Sequence, residues 1–183
     1  MKESSALAVL NSDAGTYEKA MACDALGAVG TAKAVPALAT LLADEKLHDY
    51  ARDGLERIDD PAASKALLDS LETLEGSLRT GVIITLGDLG DAAAVPALTA
   101  IAKAGGDDKH ATAAALSSLG KIATEDSAKA ILAVLASGDA SAQDAASHAA
   151  LTAAQRMEKA GQKGAAEKLR KAAEEADPVA RVE

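Results

Sequence analysis

The side chains that could do chemistry in this chain are few, and their spacing does not assemble a catalytic set. His48, His110 and His148 are the only imidazole groups available as general bases or metal ligands. Ala111 follows His110 and Ala149 follows His148, so neither histidine has a carboxylate directly after it. Because iron and zinc sites need several convergent histidine, carboxylate or thiolate ligands, we predict no transition-metal site.

The remaining reactive groups are one cysteine and two pairs of carboxylates. Cys23 is the single cysteine, which excludes an intrachain disulfide and a multi-cysteine metal site, and its helical position predicts a small buried side chain. Asp59-Asp60 and Asp107-Asp108 come directly before predicted helices, where aspartate caps backbone N–H groups. Nucleophile-elbow, zinc-protease, P-loop and dinucleotide-binding motifs are missing. We therefore predict a protein that is not an enzyme and holds no cofactor.

The composition limits both the core and the partners. The chain has no Phe and no Trp, and its only tyrosines are Tyr17 and Tyr50, so an aromatic-filled core cannot form. The formal charge is −9, and 12 acidic against 5 basic side chains lie between Asp44 and Asp91. Nucleic-acid binding needs a basic surface that releases counterions, so we predict no nucleic-acid partner. No apolar run approaches the roughly 18 residues of a membrane span, which predicts a soluble chain without membrane insertion.

An internal repeat organises the sequence. The pentapeptide AVPAL occurs at Ala34–Leu38 and again at Ala94–Leu98, an offset of 60 residues, and each copy follows an LG…G turn. Partial copies begin at Leu55 and at Leu119. Apolar residues recur at three-and-four spacing within each unit, which is typical of amphipathic helices. Units of about 30 residues with this pattern predict helix pairs that stack on their neighbours.

Each unit is predicted to form a helix A, a short turn and a helix B. Thr16, Asp60 and Asp91 are expected to cap helices, while Pro36 and Pro61 are expected in first helical turns, where a missing N–H costs nothing. The residues expected inside the hairpins are Val35, Leu38, Leu41, Leu42, Leu67, Leu68, Leu71, Leu78, Val82, Ile83, Leu86, Val95, Leu98, Ile101, Leu116, Leu119, Ile131, Leu132 and Leu135.

The two ends of the chain differ from the repeats. A long helix is expected over about 140–160, then a break at Gly161 and a charged helix over about 162–176. Asp177-Pro178 repeats the helix-start signal of Asp60-Pro61, so the array is expected to continue in a longer parent protein, and both ends are expected to fray. The predicted divisions are 1–15 as the remnant of a preceding helix, 16–138 as the repeats, 139–177 as a C-terminal helical hairpin and 178–183 as the truncated start of a further helix.

With these motifs the chain resembles HEAT repeats, in particular the short HEAT-like type of phycobilin lyases and of modules inside large bacterial multidomain proteins. The AVPAL boxes, the LG…G turns and the segment LLADEKLHDYARDGLERIDDPAASKALLDSL carry the resemblance, which covers roughly Tyr17–Ser137. It implies an all-α fold, a right-handed α-α superhelix (a HEAT-repeat solenoid) of four to five helical hairpins. It also implies an interaction scaffold, because HEAT arrays are used mainly to bind other proteins.

Other branches of the HEAT fold have signatures that can be compared with this sequence. A HEAT-fold hydroxylase family binds two irons through four His-Glu dipeptides, and this chain has none. A DNA-glycosylase-like HEAT protein would need aromatic residues and a basic groove, which are absent from the sequence. The alternative from a different class is a phycobilin-lyase-like protein that binds and transfers a bilin. Bilin contacts favour aromatic and arginine side chains, and Tyr17 and Tyr50 are the only aromatic ones here.

The resemblance places the B helices on the concave side of the array, where a partner protein would bind. The outward positions of these helices form a shallow polar row of mixed charge, which is Lys33, Thr40, Lys65, Asp69, Thr99, Lys103 and Lys129. We therefore predict a noncatalytic protein-interaction scaffold or rigid spacer module whose partner is a protein.

Overall fold

The computed structural model describes residues 1–104 and 108–176, and every regular element in these ranges is helical. The prediction of an all-α protein is confirmed for this part of the chain. None of the described helices is long and apolar enough to cross a membrane. The predictions for Asp107 and for a helix start at Asp177-Pro178 lie outside the described residues. The α-helices of the described ranges are α1 (Glu3–Leu10), α2 (Thr16–Val29), α3 (Val35–Thr40), α4 (His48–Arg57), α5 (Pro61–Ser70), α6 (Gly76–Leu89), α7 (Val95–Ala104), α8 (Lys109–Ile122), α9 (Glu125–Ser137), α10 (Gln143–Lys159) and α11 (Lys163–Ala176).

The chain forms two compact units, which are residues 1–85 and the residues from Leu86 onward. In the first unit α2 packs against α1 and α4, and α3 packs against α4 and α5. In the second unit α8 packs against α7, α9 and α10, and α11 packs against α10 and α9. Within each unit, then, helices contact others that are near in the sequence, as expected for helical hairpins.

Helix starts follow the predicted capping chemistry at three aspartates. The side chains of Asp60, Asp91 and Asp108 each accept a hydrogen bond of 2.8–2.9 Å from a backbone N–H two or three residues further on. Asp91 caps a short 3₁₀ turn that leads directly into α7. Pro36 and Pro61 lie in the first turns of α3 and α5, where no intrahelical N–H is lost.

Two predicted helix starts are wrong for local reasons. Thr16 is the first residue of α2 and not its cap; Gly15 precedes it in extended backbone, and no side chain caps this helix. The long C-terminal helix begins at Gln143 and not near residue 140. Asp139 Oδ1 accepts hydrogen bonds from the backbone N–H of Ser141 at 2.9 Å and from its hydroxyl at 2.7 Å. These two bonds hold the residues just before Gln143 in a turn.

The core consists of aliphatic side chains and alanine. Most of the predicted interior residues are buried, but Leu41, Leu68, Leu78 and Leu132 are only half-buried because they lie at the margins of their helical stripes. The helix α10 differs from the others, since its buried face is almost entirely alanine: Ala146, Ala149, Ala150, Ala153 and Ala154, with Met157. Against it, α11 buries Leu169 between alanines, after a break at Gly161, whose φ is +82°.

Candidate protein-interaction surface

The seven residues of the predicted polar row fall at different kinds of positions. Lys33 is exposed but precedes α3, so its placement on a B helix is wrong; a turn closed by the hydrogen bond from Ala34 N–H to Thr31 O delays the helix to Val35. Thr40 is exposed at the end of α3, and its hydroxyl donates to Ala37 O at 2.8 Å. Of these two side chains, that of Thr40 therefore bonds within its own helical turn.

Lys65 and Asp69 are exposed on α5 and bond each other. Lys65 Nζ lies 2.6 Å from Asp69 Oδ2, one helical turn away. An exposed pair of this kind contributes only a few tenths of a kcal/mol. Its two charges largely cancel at a distance, so this pair offers a partner little net charge.

The other three predicted residues come together at one open groove in the second unit. Thr99 is half-buried and Lys103 exposed on α7, and Lys129 is exposed on α9. The groove between these two helices has a volume of about 490 Å³. Its lining residues are Ala92, Val95, Pro96, Thr99, Lys103, Thr124, Asp126, Lys129 and Ala130.

The α9 side of the groove is held by a local capping network. The Thr124 hydroxyl accepts a hydrogen bond from Ser127 N–H at 3.2 Å, and the two hydroxyls lie 2.9 Å apart. Ser127 is fully buried, which locks the first turn of α9 in place. Lys129 Nζ donates to Asp126 Oδ1 at 2.8 Å, and this hydrogen bond raises the pKa of Lys129. The groove therefore places Val95 beside two lysines and one aspartate, and because Asp126 offsets the charge of Lys129, its net positive charge is small.

The three histidines lie apart from one another, on three different helices. His48 Nδ1 lies 3.3 Å from Asp49 Oδ1 at the start of α4, and His148 Nδ1 lies 2.9 Å from Asp144 O on α10. His110 is exposed in the first turn of α8. Within the described ranges, no group of three or more His, Cys, Asp or Glu side chains is placed to hold a metal ion. The structure gives these side chains helix-surface and capping roles.

Cys23 is fully buried on α2. Burial raises the pKa of its thiol to about 11, because a thiolate would lose its hydration there. The side chain is therefore a neutral thiol at neutral pH, and it serves as a small apolar group.

Sequence reasoning missed a set of polar contacts between helices. In each contact, an arginine or lysine on one helix donates to a side chain on another helix that lies 33 residues away in the sequence. The sequence contains these pairs at equal separations, but whether their side chains meet depends on the register of the packed helices. The contacts are Arg57 Nη2 to Asp24 Oδ1 at 2.8 Å, Arg52 Nη1 to Thr85 Oγ1 at 2.7 Å and Lys121 Nζ to Asp88 Oδ1 at 2.6 Å.

The arginines in these contacts are held on several sides. Arg57 also bonds Asp53 and the backbone carbonyl of Asp24, and the hydrogen bond to the Asp24 carboxylate is the main reason why the pKa of Arg57 is raised. Arg52 donates to Asp49 at 2.8 Å, which lowers the pKa of that carboxyl group. These guanidinium groups therefore clamp neighbouring helices and are not free to recognise an anion.

No known family profile matches this chain, and a search of curated proteins finds no significant match. The resemblance to HEAT repeats accordingly stays a prediction from the motifs.

Proposed function

We propose that this chain is a noncatalytic scaffold of HEAT-like helical repeats, arranged as a right-handed α-α superhelix of four to five hairpins, which binds a partner protein. The observation that carries this proposal is the recurrence of cross-helix contacts between residues 33 apart. The separation recurs in Asp24–Arg57, in Arg52–Thr85 and in Asp88–Lys121. Stacked hairpins of nearly constant length produce contacts that repeat at one separation along the sequence.

Close helix approaches support the function of a rigid spacer. A Cβ atom on Gly120 would lie 2.8 Å from the backbone oxygen of Ala149, and one on Gly87 would lie 2.5 Å from Ser118 Cβ. Only glycine at these positions leaves room for the neighbouring helix. Backbones this close resist shear, because any displacement produces steric overlap.

The groove between α7 and α9 is the proposed binding site, since it gathers Thr99, Lys103 and Lys129 of the predicted row. Its two lysines leave a small net positive charge after Asp126 is counted, and together with the apolar groups of Val95 and Pro96 they suit an extended segment with carboxylate and aliphatic side chains. An open groove of this size binds a few side chains of its partner and does not enclose a whole ligand.

A pull-down with matched variants tests the proposal. The chain is immobilised and exposed to lysate of its source organism, and captured proteins are compared with those on a Lys103→Ser/Lys129→Ser variant. A Lys168→Ser/Lys171→Ser variant on α11 is the control, because it removes the same charge from exposed positions outside the groove. We expect one partner to bind the wild type and the control but to be lost from the groove variant. Equal capture by all three would refute the groove, and a compact small-angle scattering profile would refute the superhelix.

The bilin alternative stays a prediction, with no observation in its favour. Tyr17 and Tyr50, the aromatic residues that could contact a bilin, lie exposed on α2 and α4 and do not line the α7–α9 groove. Visible absorbance after the chain is mixed with a bilin and its acceptor subunit distinguishes the two functions. A scaffold leaves the bilin spectrum unchanged.

A further inference from the structure

The only two aromatic side chains of this protein lie on its surface. Tyr17 on α2 is 74% exposed, and Tyr50 on α4 is 49% exposed. The core is filled with leucine, isoleucine, valine and alanine instead. Large aromatic side chains outside a core are expensive to leave in water, and they carry much of the binding energy at protein interfaces.

The helix register places these tyrosines at corresponding positions of α2 and α4. Asp24 and Arg57 are bonded across α2 and α4 at 2.8 Å. Tyr17 lies seven residues before Asp24, and Tyr50 lies seven residues before Arg57. Seven residues are about two helical turns, so each tyrosine lies on the same face of its helix as the bonded residue. Cys23 and Asp24 of α2 contact Gly54 and Arg57 in the same order along α4, so the two helices run in the same direction and the tyrosines occupy corresponding positions on them.

A third apolar side chain joins them. Met21 is 47% exposed, one turn after Tyr17 on α2. We call Tyr17, Met21 and Tyr50 together the tyrosine face. Single exposed apolar residues are common on proteins, but two tyrosines and a methionine in one place form the composition that is enriched in interface cores.

The surroundings of the tyrosine face are acidic. On α2 and α4 carboxylates outnumber cationic side chains. Both arginines of α4 are already engaged, since Arg57 bonds Asp24 and Asp53, and Arg52 bonds Asp49. Glu18 is exposed beside Tyr17. The field at this face therefore attracts positive charge, and a second copy of this chain, with its charge of −9, would be repelled.

We propose that the tyrosine face binds a cationic amphipathic segment of a partner protein. The lysine or arginine side chains of that segment would pair with the exposed Glu18 beside Tyr17 and lie over the tyrosine rings, where cation–π attraction adds to the charge pairing. Its apolar side would cover Met21, whose flexible thioether adapts to different shapes. The inference rests on the proposed scaffold function and adds a second surface with a defined partner chemistry.

The tyrosines themselves report binding, because the chain has no Trp and its tyrosine emission comes from Tyr17 and Tyr50 alone. The probe is a synthetic Leu/Lys amphipathic peptide of about 18 residues, long enough to form a helix. A Leu/Glu peptide of the same pattern is the control. We expect the Leu/Lys peptide to protect the tyrosine emission from acrylamide quenching saturably and less strongly at high salt. Equal protection by the Leu/Glu peptide, or none by either, would overturn the proposal.

Variants locate the contact. A Tyr17→Ser/Tyr50→Ser variant should bind the fluorescently labelled Leu/Lys peptide at least about tenfold more weakly, which is the effect expected on losing interface anchors. Leu151→Ser on α10 is the control, since Leu151 is also 49% exposed but lies elsewhere, and it should leave binding unchanged. Circular dichroism checks that both variants stay folded.

Two outcomes separate this inference from the scaffold proposal. In the first outcome, the partner captured from lysate is lost from the Lys103→Ser/Lys129→Ser variant but retained by the Tyr17→Ser/Tyr50→Ser variant, and the Leu/Lys peptide binds the wild type and the tyrosine variant equally. The scaffold proposal then stands, and the tyrosine face carries no binding site. If sedimentation shows a dimer that the tyrosine variant abolishes, the face is occupied by a second copy, and the cationic-segment inference is wrong.

Discussion

The contact between α2 and α4 and the contact between α8 and α10 use the same device in different ways. Both place a glycine on the earlier helix. A Cβ on Gly27 would lie 2.6 Å from Arg57 Nη2, so a flexible guanidinium fills the space there. A Cβ on Gly120 would lie 2.8 Å from the backbone oxygen of Ala149, so the helix itself fills it. Gly27 and Gly120 lie inside α2 and α8, so their predicted place in turns between helices is wrong, and each marks a close helix contact: an adjustable polar clamp at Gly27 and a fixed backbone contact at Gly120.

The two contacts also differ in what they bury. Beside Gly27, Cys23 and Leu26 are buried on α2, and Leu55 is buried on α4. The α10 face that packs on α8 is alanine, which brings the helices closer but leaves few long side chains that could rearrange. We expect the α2–α4 contact to tolerate change better than the α8–α10 contact.

The largest expected effect is the loss of a core leucine from α8. Leu119→Ala should lower the free energy of unfolding by about 2–5 kcal/mol, towards the upper end, because the alanines of α10 cannot extend into the cavity. Leu55→Ala on α4, equally buried, should cost less. Urea unfolding measures both, with Leu151→Ala as an exposed control expected within about 0.5 kcal/mol. A larger cost for Leu55→Ala would reverse the comparison.

Cys23 reports on the α2–α4 contact. Burial raises the pKa of the Cys23 thiol from 9.0 to about 11, so the thiolate fraction near pH 8 is about a hundredfold lower in the folded protein than in the unfolded chain. A disulfide reagent should therefore react slowly until urea unfolds the chain. The stability that the buried neutral thiol contributes is present below pH 9 and is lost as the pH rises towards about 11.

Rapid labelling of Cys23 in folded protein would show that the α2–α4 contact opens locally. Cys23→Ser controls for reaction elsewhere, because the chain has no other cysteine.

The sequence predicts well what depends on local chemistry. Asp60, Asp91 and Asp108 cap helices because a carboxylate next to free N–H groups needs no distant partner. It predicts poorly what depends on register. Lys33 lies before α3, and the corresponding positions of Tyr17 and Tyr50 follow only once the Asp24–Arg57 bond fixes how α2 and α4 align. The grouping of Thr99, Lys103 and Lys129 at one groove likewise needs the packing of α7 on α9.

The glycine comparison itself can be tested directly. Gly120→Ala should destabilise the protein by about 1–3 kcal/mol, because backbone cannot move aside for a methyl group. Gly27→Ala should cost less, since the Arg57 side chain can rotate away and alanine favours the helix. Gly164→Ala, in α11 with open space around it, should be neutral or stabilising. Thermal unfolding ranks the three, and equal costs for Gly120 and Gly27 would remove the proposed distinction.

The smallest expected change in stability distinguishes two cross-helix contacts between residues 33 apart, Asp88–Lys121 and Asp24–Arg57. Lys121→Met removes a single pair, between half-buried Lys121 and exposed Asp88, and should cost about 0.2–1 kcal/mol, an effect that high salt screens. Arg57→Met removes bonds to Asp24, to Asp53 and to a backbone carbonyl, and it uncovers the space beside Gly27. We expect a cost above that of Lys121→Met, with a part that persists at high salt because a carbonyl loses its donor and the packing of the guanidinium against Gly27 is lost. Unfolding curves at low and high salt measure this part. If the whole cost of Arg57→Met vanishes in salt, Arg57 acts only as a surface charge, and the α2–α4 clamp is no stronger than the pair at Asp88.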